Sequence, residues 1–321
     1  MKKAVVVLVN GEVLANGFDS SIASQRDNAR TLAEGLAPIL DSNWPLVIMH
    51  GNKPQVGFVL QRSELASHAL HPIPLDVCGA DTQGATGYML AQALRNVLTE
   101  RANRRAVMSL ITQTVVDDQD PLFHEPTKAI GPYFDRLTAE QYRQTRGWHM
   151  LLEQGRGYRR AVPAPTPLEV VEMEAITQLA QSGAVVVAGG GGGIPVVRSA
   201  GGALRGVEAV VDTDQVACMI AKSVHAAVML MLIERNDKFI LLRLNTEQDR
   251  HLSRDELNAL LAAGPIPSNM VEAKLRAAAT FLQDGGEQVI ITTLRKLPQA
   301  LQGEAGLRIG AERLVIAQPS A

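Results

Sequence analysis

The sequence predicts an α/β protein, an open three-layer αβα sandwich with a mainly parallel central sheet and a small protruding lid subdomain. Three observations carry this prediction. Short continuous apolar runs recur at 4–9, 46–49, 107–111, 184–188, 227–233 and 288–292. Amphipathic helical patterns lie between several of them, over 22–40, 84–98, 167–181 and 271–283. Unbroken apolar strands belong to a sheet covered on both faces, and intervening helices make such a sheet parallel. Residues 114–165 break the pattern, being rich in Pro, Asp, Gly, Arg and aromatics. With Phe123, Tyr133, Phe134 and Trp148 to bury, they read as an ordered lid within a single domain spanning 1–321.

A chain of 321 residues can bury a sizeable core, and 46% apolar with 20% charged residues is an ordinary globular composition. A formal net charge of −2, without a long Lys or Arg run, excludes an electrostatic footprint for nucleic acid. Cys78 and Cys218 have no metal-ligand spacing and fit reduced cytosolic thiols. Lys2 and Lys3 before an apolar run have the look of a secretory leader. The run is only Ala4 to Val9, short for that purpose, and fits a first buried strand. No other stretch approaches the ~20 apolar residues of a spanning helix. The expectation is a cytoplasmic protein with neither nucleic-acid nor membrane partners.

Each element then positions a candidate residue, because parallel sheets bind ligands at the carboxyl ends of their strands. After the second strand, MHGNKPQVG places Gly51 and Asn52 in a strand-to-helix turn or in half of an anion cradle. His50 beside them reads as a buried, hydrogen-bonded histidine. In EPTKAIGP, Lys128 is either a solvated charge or a lysine reaching a phosphate. GRGYRR supplies Arg156, Arg159 and Arg160, a basic lid surface or charges that close over a phosphorylated ligand.

The strand at 184–188 runs into Gly189, Gly190, Gly191, Gly192 and Gly193. Five glycines together lose much backbone freedom on folding, so they form a linker or a loop drawn close around an anion. VEAVVDTDQVA holds Asp212 and Asp214, which could orient lysines or a Mg²⁺ ion, or cap the following helix. P-loop, Rossmann and zinc spacings are absent, so no protein-borne metal site is expected.

Taken in order, HGNKPQVG, PLDVCGADTQGATGYMLAQAL, TQTVVDDQDPLFHEPTKAIGP, GRGYRRAVPAPTPLEVVE, GGGGGIPVVR and GVEAVVD resemble the carbamate kinases, of the amino acid kinase fold. With the closing GGEQVIITTL and ALQGEAGLRI, the resemblance spans essentially the whole chain. It implies a homodimer that moves phosphate between ATP and carbamate, giving carbamoyl phosphate, with Mg²⁺ accompanying the nucleotide. By resemblance, Lys128, Lys274, Asp212 and Asp214 are catalytic. Gly51, Asn52, Lys53, Arg159 and the five glycines face carbamate and the acyl phosphate. Asn10, Gly11, Thr213 and Lys274 lie on the nucleotide side.

The departures fall on that nucleotide side. A Gly-Gly-Asn loop is replaced by Val9, Asn10 and Gly11, and a lysine between two aspartates by Thr213. The "TDVDGV" segment corresponds to 233–238, IERNDK, and "GSMGPK" to NMVEAK, which keeps Lys274. The second glycine of "HGNGPQ" is Lys53, a stand-in for the missing lysine. Two functions compete on these residues. One is a carbamate kinase or close relative acting on a small carboxyl or carbamoyl acceptor. The other is a binding or regulatory subunit that holds carbamoyl phosphate without turning over ATP. A third, weaker idea makes the chain a partner of a carbamoyl-transferring enzyme.

Overall fold

A computed structural model describes residues 3–15, 20–42, 44–234, 250–266 and 269–312. The chain opens with β1 (Ala4–Val9), α1 (Gly11–Leu14), α2 (Ile22–Gly35), α3 (Ala37–Asp41) and β2 (Leu46–His50). It continues through α4 (Lys53–Ala66), α5 (Leu75–Glu100), β3 (Val107–Ser109) and β4 (Gln113–Val116). Then come β5 (Lys128–Phe134), α6 (Arg136–Arg146), β6 (His149–Glu153), β7 (Gly157–Val162) and β8 (Pro167–Val170). After α7 (Met173–Gln181) follow β9 (Val185–Val187), β10 (Ile194–Arg198), β11 (Leu204–Gly206) and α8 (Thr213–Ser223). The last elements are β12 (Ala226–Ile233), β13 (Arg250–Leu252), α9 (Arg254–Ala262), α10 (Asn269–Gln283), β14 (Gln288–Thr293), α11 (Leu297–Gln302) and β15 (Leu307–Gly310).

Eight strands form the central sheet in the order β13-β15-β14-β12-β1-β2-β9-β3. Every neighbouring pair is parallel except β14 with β15. The unbroken apolar runs are explained by the two faces. Val5, Val7 and Val9 pack with Leu32, Leu36 and Leu94 of the α2–α5 layer. Val6 and Leu8 pack with Ile176, Ile220 and Leu275 of the α7, α8 and α10 layer. Each such side chain gains roughly 1.5–3 kcal/mol by leaving water, and successive residues of β1 hold the two helical layers in turn.

Two expectations need correction. Residues 113–116 are not irregular: β4 pairs in parallel with β10, in a second sheet of order β11-β10-β4-β8. The helical pattern over 167–181 begins instead as strand β8, with α7 starting at Met173. Pro167 cannot donate to a ladder, and β8 lies at a sheet edge where that donor is not needed.

Within 114–165 lies a third sheet, three-stranded and antiparallel in the order β5-β7-β6, with α6 between β5 and β6 in the chain. It is rooted on α4 through Val56, Leu60, Ile130 and Val162. Arginines and aromatics fill it: Arg146 lies 4.5 Å over Tyr142, and Arg160 lies 4.5 Å over Trp148.

Arg105 ties the layers together at the other end of the sheet. Its guanidinium donates to the carbonyls of Leu40, Ser42, Trp44 and Gly183 at 3.3, 3.2, 2.9 and 2.8 Å. Burial lowers its pKa, so these carbonyls stand in for water. Arg105→Met should lower the unfolding free energy by about 3 kcal/mol in a urea titration, because several carbonyls lose a charged donor at once.

Candidate active site

The glycine run is a crossing between sheets. It carries the chain from β9 in the central sheet to β10 in the second, alongside the parallel crossing from β3 to β4. Gly189, Gly191, Gly192 and Gly193 adopt φ of +63°, +66°, +87° and +91°, where an L side chain is strained. Space is short as well. A Cβ on Gly190 would lie 2.6 Å from His50 Nε2, and one on Gly192 would lie 2.8 Å from the Val211 carbonyl oxygen.

Buried polar side chains fix the crossing. Gln83 Nε2 donates to the carbonyls of Gly190 (2.9 Å) and Thr112 (3.0 Å), while its Oε1 accepts from Thr112 N–H at 2.7 Å. Thr112 Oγ1 accepts from Gly189 N–H at 2.9 Å, and Thr114 Oγ1 donates to the Gly192 carbonyl at 2.7 Å. The sequence reading missed Gln83, Thr112 and Thr114, because nothing in their spacing links them to a loop about a hundred residues away.

Beside this crossing a cleft of about 420 Å³ opens at the carboxyl ends of β1 and β2. Asn10 and Gly11 follow β1; Gly51, Asn52 and Lys53 follow β2. Lys128 enters from the start of β5, Asp212, Thr213 and Asp214 from the start of α8, and Lys274 from α10. Gly11 and Gly51 touch back to back: a Cβ on Gly51 would lie 2.7 Å from Gly11 N. Asn52 Nδ2 donates to Thr82 Oγ1 at 2.9 Å, and Asn10 Nδ2 to Met270 Sδ at 3.0 Å, so both asparagines brace the walls.

Residues 17–293 of the chain match the amino acid kinase family. The chain belongs to that family. It is 38% identical over 316 residues to the carbamate kinase of Pyrococcus horikoshii, covering 96% of this chain and 99% of that one. It is equally 38% identical to the carbamate kinase-like protein YahI of Escherichia coli, with 96% and 99% covered. A carbamate kinase structure from Giardia lamblia bound to AMP-PNP superposes with a TM-score of 0.86 at 31% identity, covering 96% and 98% of the two chains.

In this amino acid kinase two lysines of the cleft are held by carboxylates. Lys274 Nζ donates to Asp214 Oδ1, and both side chains are buried. Asp212 does two things at once. Its Oδ1 caps α8, accepting from the N–H groups of Asp214 and Gln215 at 3.0 and 3.3 Å, and its Oδ2 lies 3.7 Å from Lys128 Nζ. Capping and lysine orientation, alternatives in the sequence, are both realised.

Lys53 is exposed as a whole residue, yet its ammonium group is desolvated in the cleft. That desolvation, followed by the charge of Lys128, pushes its pKa down.

Other candidates sit elsewhere. Of the five glycines only Gly191 lines the cleft; the other four serve close packing around it. Arg159 is not among the lining residues. It donates to the Gly131 carbonyl at 3.1 Å, pairs with Glu153 at 3.2 Å and stacks on Tyr133. Arg156 also lies over Tyr133, and Arg160 pairs with Glu208. His50 is buried with its pKa lowered to about 4 by desolvation, and Nδ1–H donates to the Gly51 carbonyl at 3.1 Å, so it stays neutral. Burial raises the thiols of Cys78 and Cys218 to about 11 and 12, which leaves both without nucleophilic character at neutral pH. Of the segment 233–238, residues 235–238 lie outside the described residues. No helix among the described residues is long and apolar enough to cross a membrane.

Proposed function

We propose that this amino acid kinase is a phosphotransferase of the carbamate kinase type, moving a phosphoryl group between ATP and carbamate to give carbamoyl phosphate. The observation that carries this reading is the convergence of Lys53, Lys128 and Lys274 on one cleft, two of them oriented by aspartates. Phosphoryl transfer is governed by positioned positive charge around the phosphoryl oxygens, and this cleft supplies it at the carboxyl end of a parallel sheet.

In this reading Lys128 and Lys274 steady the transferring group while Asp212 and Asp214 hold them in place. Asn52, Gly51 and Gly191 border the carbamoyl end; Asn10, Gly11 and Thr213 border the nucleotide. Mg²⁺ travels with the nucleotide phosphates. Among the described residues no group of three or more His, Cys, Asp or Glu side chains could hold it unaided. The same reading makes the assembly a homodimer, and light scattering should then return about twice the 34.5 kDa chain mass.

The test is ATP formation from ADP and carbamoyl phosphate by the purified protein with Mg²⁺. Turnover supports the reading. Tight carbamoyl phosphate binding without turnover would favour the regulatory-subunit alternative, which rests on the uncharged Thr213 at the start of α8. Lys128→Ala should weaken carbamoyl phosphate binding about 10–100-fold in calorimetry, the equivalent of one lost charge-assisted hydrogen bond. Arg159→Ala should change it far less, since Arg159 is already engaged by Gly131 and Glu153.

A further inference from the structure

We infer that Lys53 supplies the positive charge that the arriving phosphoryl group meets, because it alone of the three cleft lysines has no carboxylate within ion-pairing distance among the described residues. The inference rests on the phosphotransfer reading and deepens it. Lys274 is engaged by Asp214 and Lys128 faces Asp212, so each of those charges is matched before any ligand arrives. Glu12 and Asp212 act on Lys53 only through space.

The two helices that start at the cleft differ in the same sense. Asp212 caps α8 with its carboxylate, whereas Asn52 makes no side-chain cap on α4 and turns its amide to Thr82. A negative oxygen is therefore less welcome at α8 than at α4, whose first residue is Lys53.

Electrostatics agree with this geometry. Desolvation and the ammonium groups of Lys128 and Lys274 lower the Lys53 pKa, with Glu12 and Asp212 opposing them. A cation held in that state gains a counter-charge when a phosphoryl oxygen approaches. In the step itself the acyl P–O bond of carbamoyl phosphate breaks and carbamate leaves with its electron pair. A β-phosphate oxygen of ADP forms the new P–O bond. Lys53 stays an ammonium ion throughout, so no proton passes through it.

Thr213 also lines the cleft and carries no charge, which makes a relocation experiment possible. Wild type, Lys53→Gln, Lys53→Arg and the double variant Lys53→Gln/Thr213→Lys are compared in ATP formation from ADP and carbamoyl phosphate. Calorimetry with carbamoyl phosphate and thermal melting accompany the assay. Lys53→Gln should lower kcat about 10²–10³-fold, the effect of one preorganised charge, without lowering Tm. Lys53→Arg and the double variant should each recover about tenfold or more. Deprotonation of Lys53 should make wild-type activity fall at lower alkaline pH than an ordinary lysine would impose. Lys53→Arg should lack that limb, because a guanidinium keeps its charge.

Active wild type with Lys53→Gln within about threefold of it would overturn the role of Lys53 while leaving the phosphotransfer reading intact. Inactive wild type whose carbamoyl phosphate binding is lost in Lys53→Gln would overturn turnover but support the lysine as the anion's partner. Equal binding by both proteins would overturn the lysine's role in either case.

Discussion

Asp214→Asn should lower the unfolding free energy by about 3–5 kcal/mol and cut ATP formation by more than about 100-fold. The reason lies in what the asparagine leaves behind. Lys274 is 6% exposed and donates to Asp214, so removal of the carboxylate strands an ammonium ion away from water. Breaking a buried pair from one side is costly because the desolvated charge has nothing to compensate it. The pair as a whole need not stabilise the fold, because desolvation can offset its attraction. The double variant Asp214→Leu/Lys274→Met should therefore regain most of the lost stability in denaturant titration. Its activity should stay low, because the positive charge is gone from the cleft. If stability and activity recovered together, the pair would be a structural strut and not part of the phosphoryl site.

Much of this arrangement could be read from residue patterns. The continuous runs at 4–9 and 46–49 became adjacent central strands, because a sheet buried on both faces leaves no room for alternation. HGNKPQVG and the DTD triplet were placed correctly at the starts of helices, since the turn and cap chemistry of Gly, Asn and Asp is local. What sequence could not reveal was set by distant partners. β4 is four residues long and gains its identity from pairing with β10. The strand at 167–170 carries apolar residues at spacings that a helix would also give, and pairing with β4 decided it. GRGYRR leaves Arg159 open as a basic lid surface or as a charge closing over a phosphorylated ligand, and its partners in the fold, the ring of Tyr133 and the carboxylate of Glu153, are not legible from that stretch. The five glycines read as a linker or as a loop drawn close around an anion; four of them answer to Met49, His50, Val211 and Thr114 within the protein.

Gly192→Ala should show how tightly that packing governs the cleft. The residue has φ +87°, and an added Cβ would lie 2.8 Å from the Val211 oxygen, 3.1 Å from its carbonyl carbon and 3.2 Å from Thr213 N. All three are backbone atoms and cannot rotate aside as a side chain would. Gly202 provides the control: its φ is also +87°, yet a Cβ added there would meet nothing within 4 Å. Both substitutions incur the left-handed penalty of about 1–2 kcal/mol. Only Gly192→Ala adds an overpacking cost of about 1–3 kcal/mol. The atoms it displaces flank Asp212, whose Oδ2 is 3.7 Å from Lys128 and whose Oδ1 caps α8. A shift of about 1 Å can cost about 100-fold in rate, so a few tenths of an ångström at Asp212 should lower kcat about tenfold. Gly202→Ala should lose stability alone, with kcat unchanged. Equal losses of stability in the two variants would mean that the chain at 211–213 yields freely. An unchanged kcat in Gly192→Ala would mean that the position of Asp212 does not set the rate.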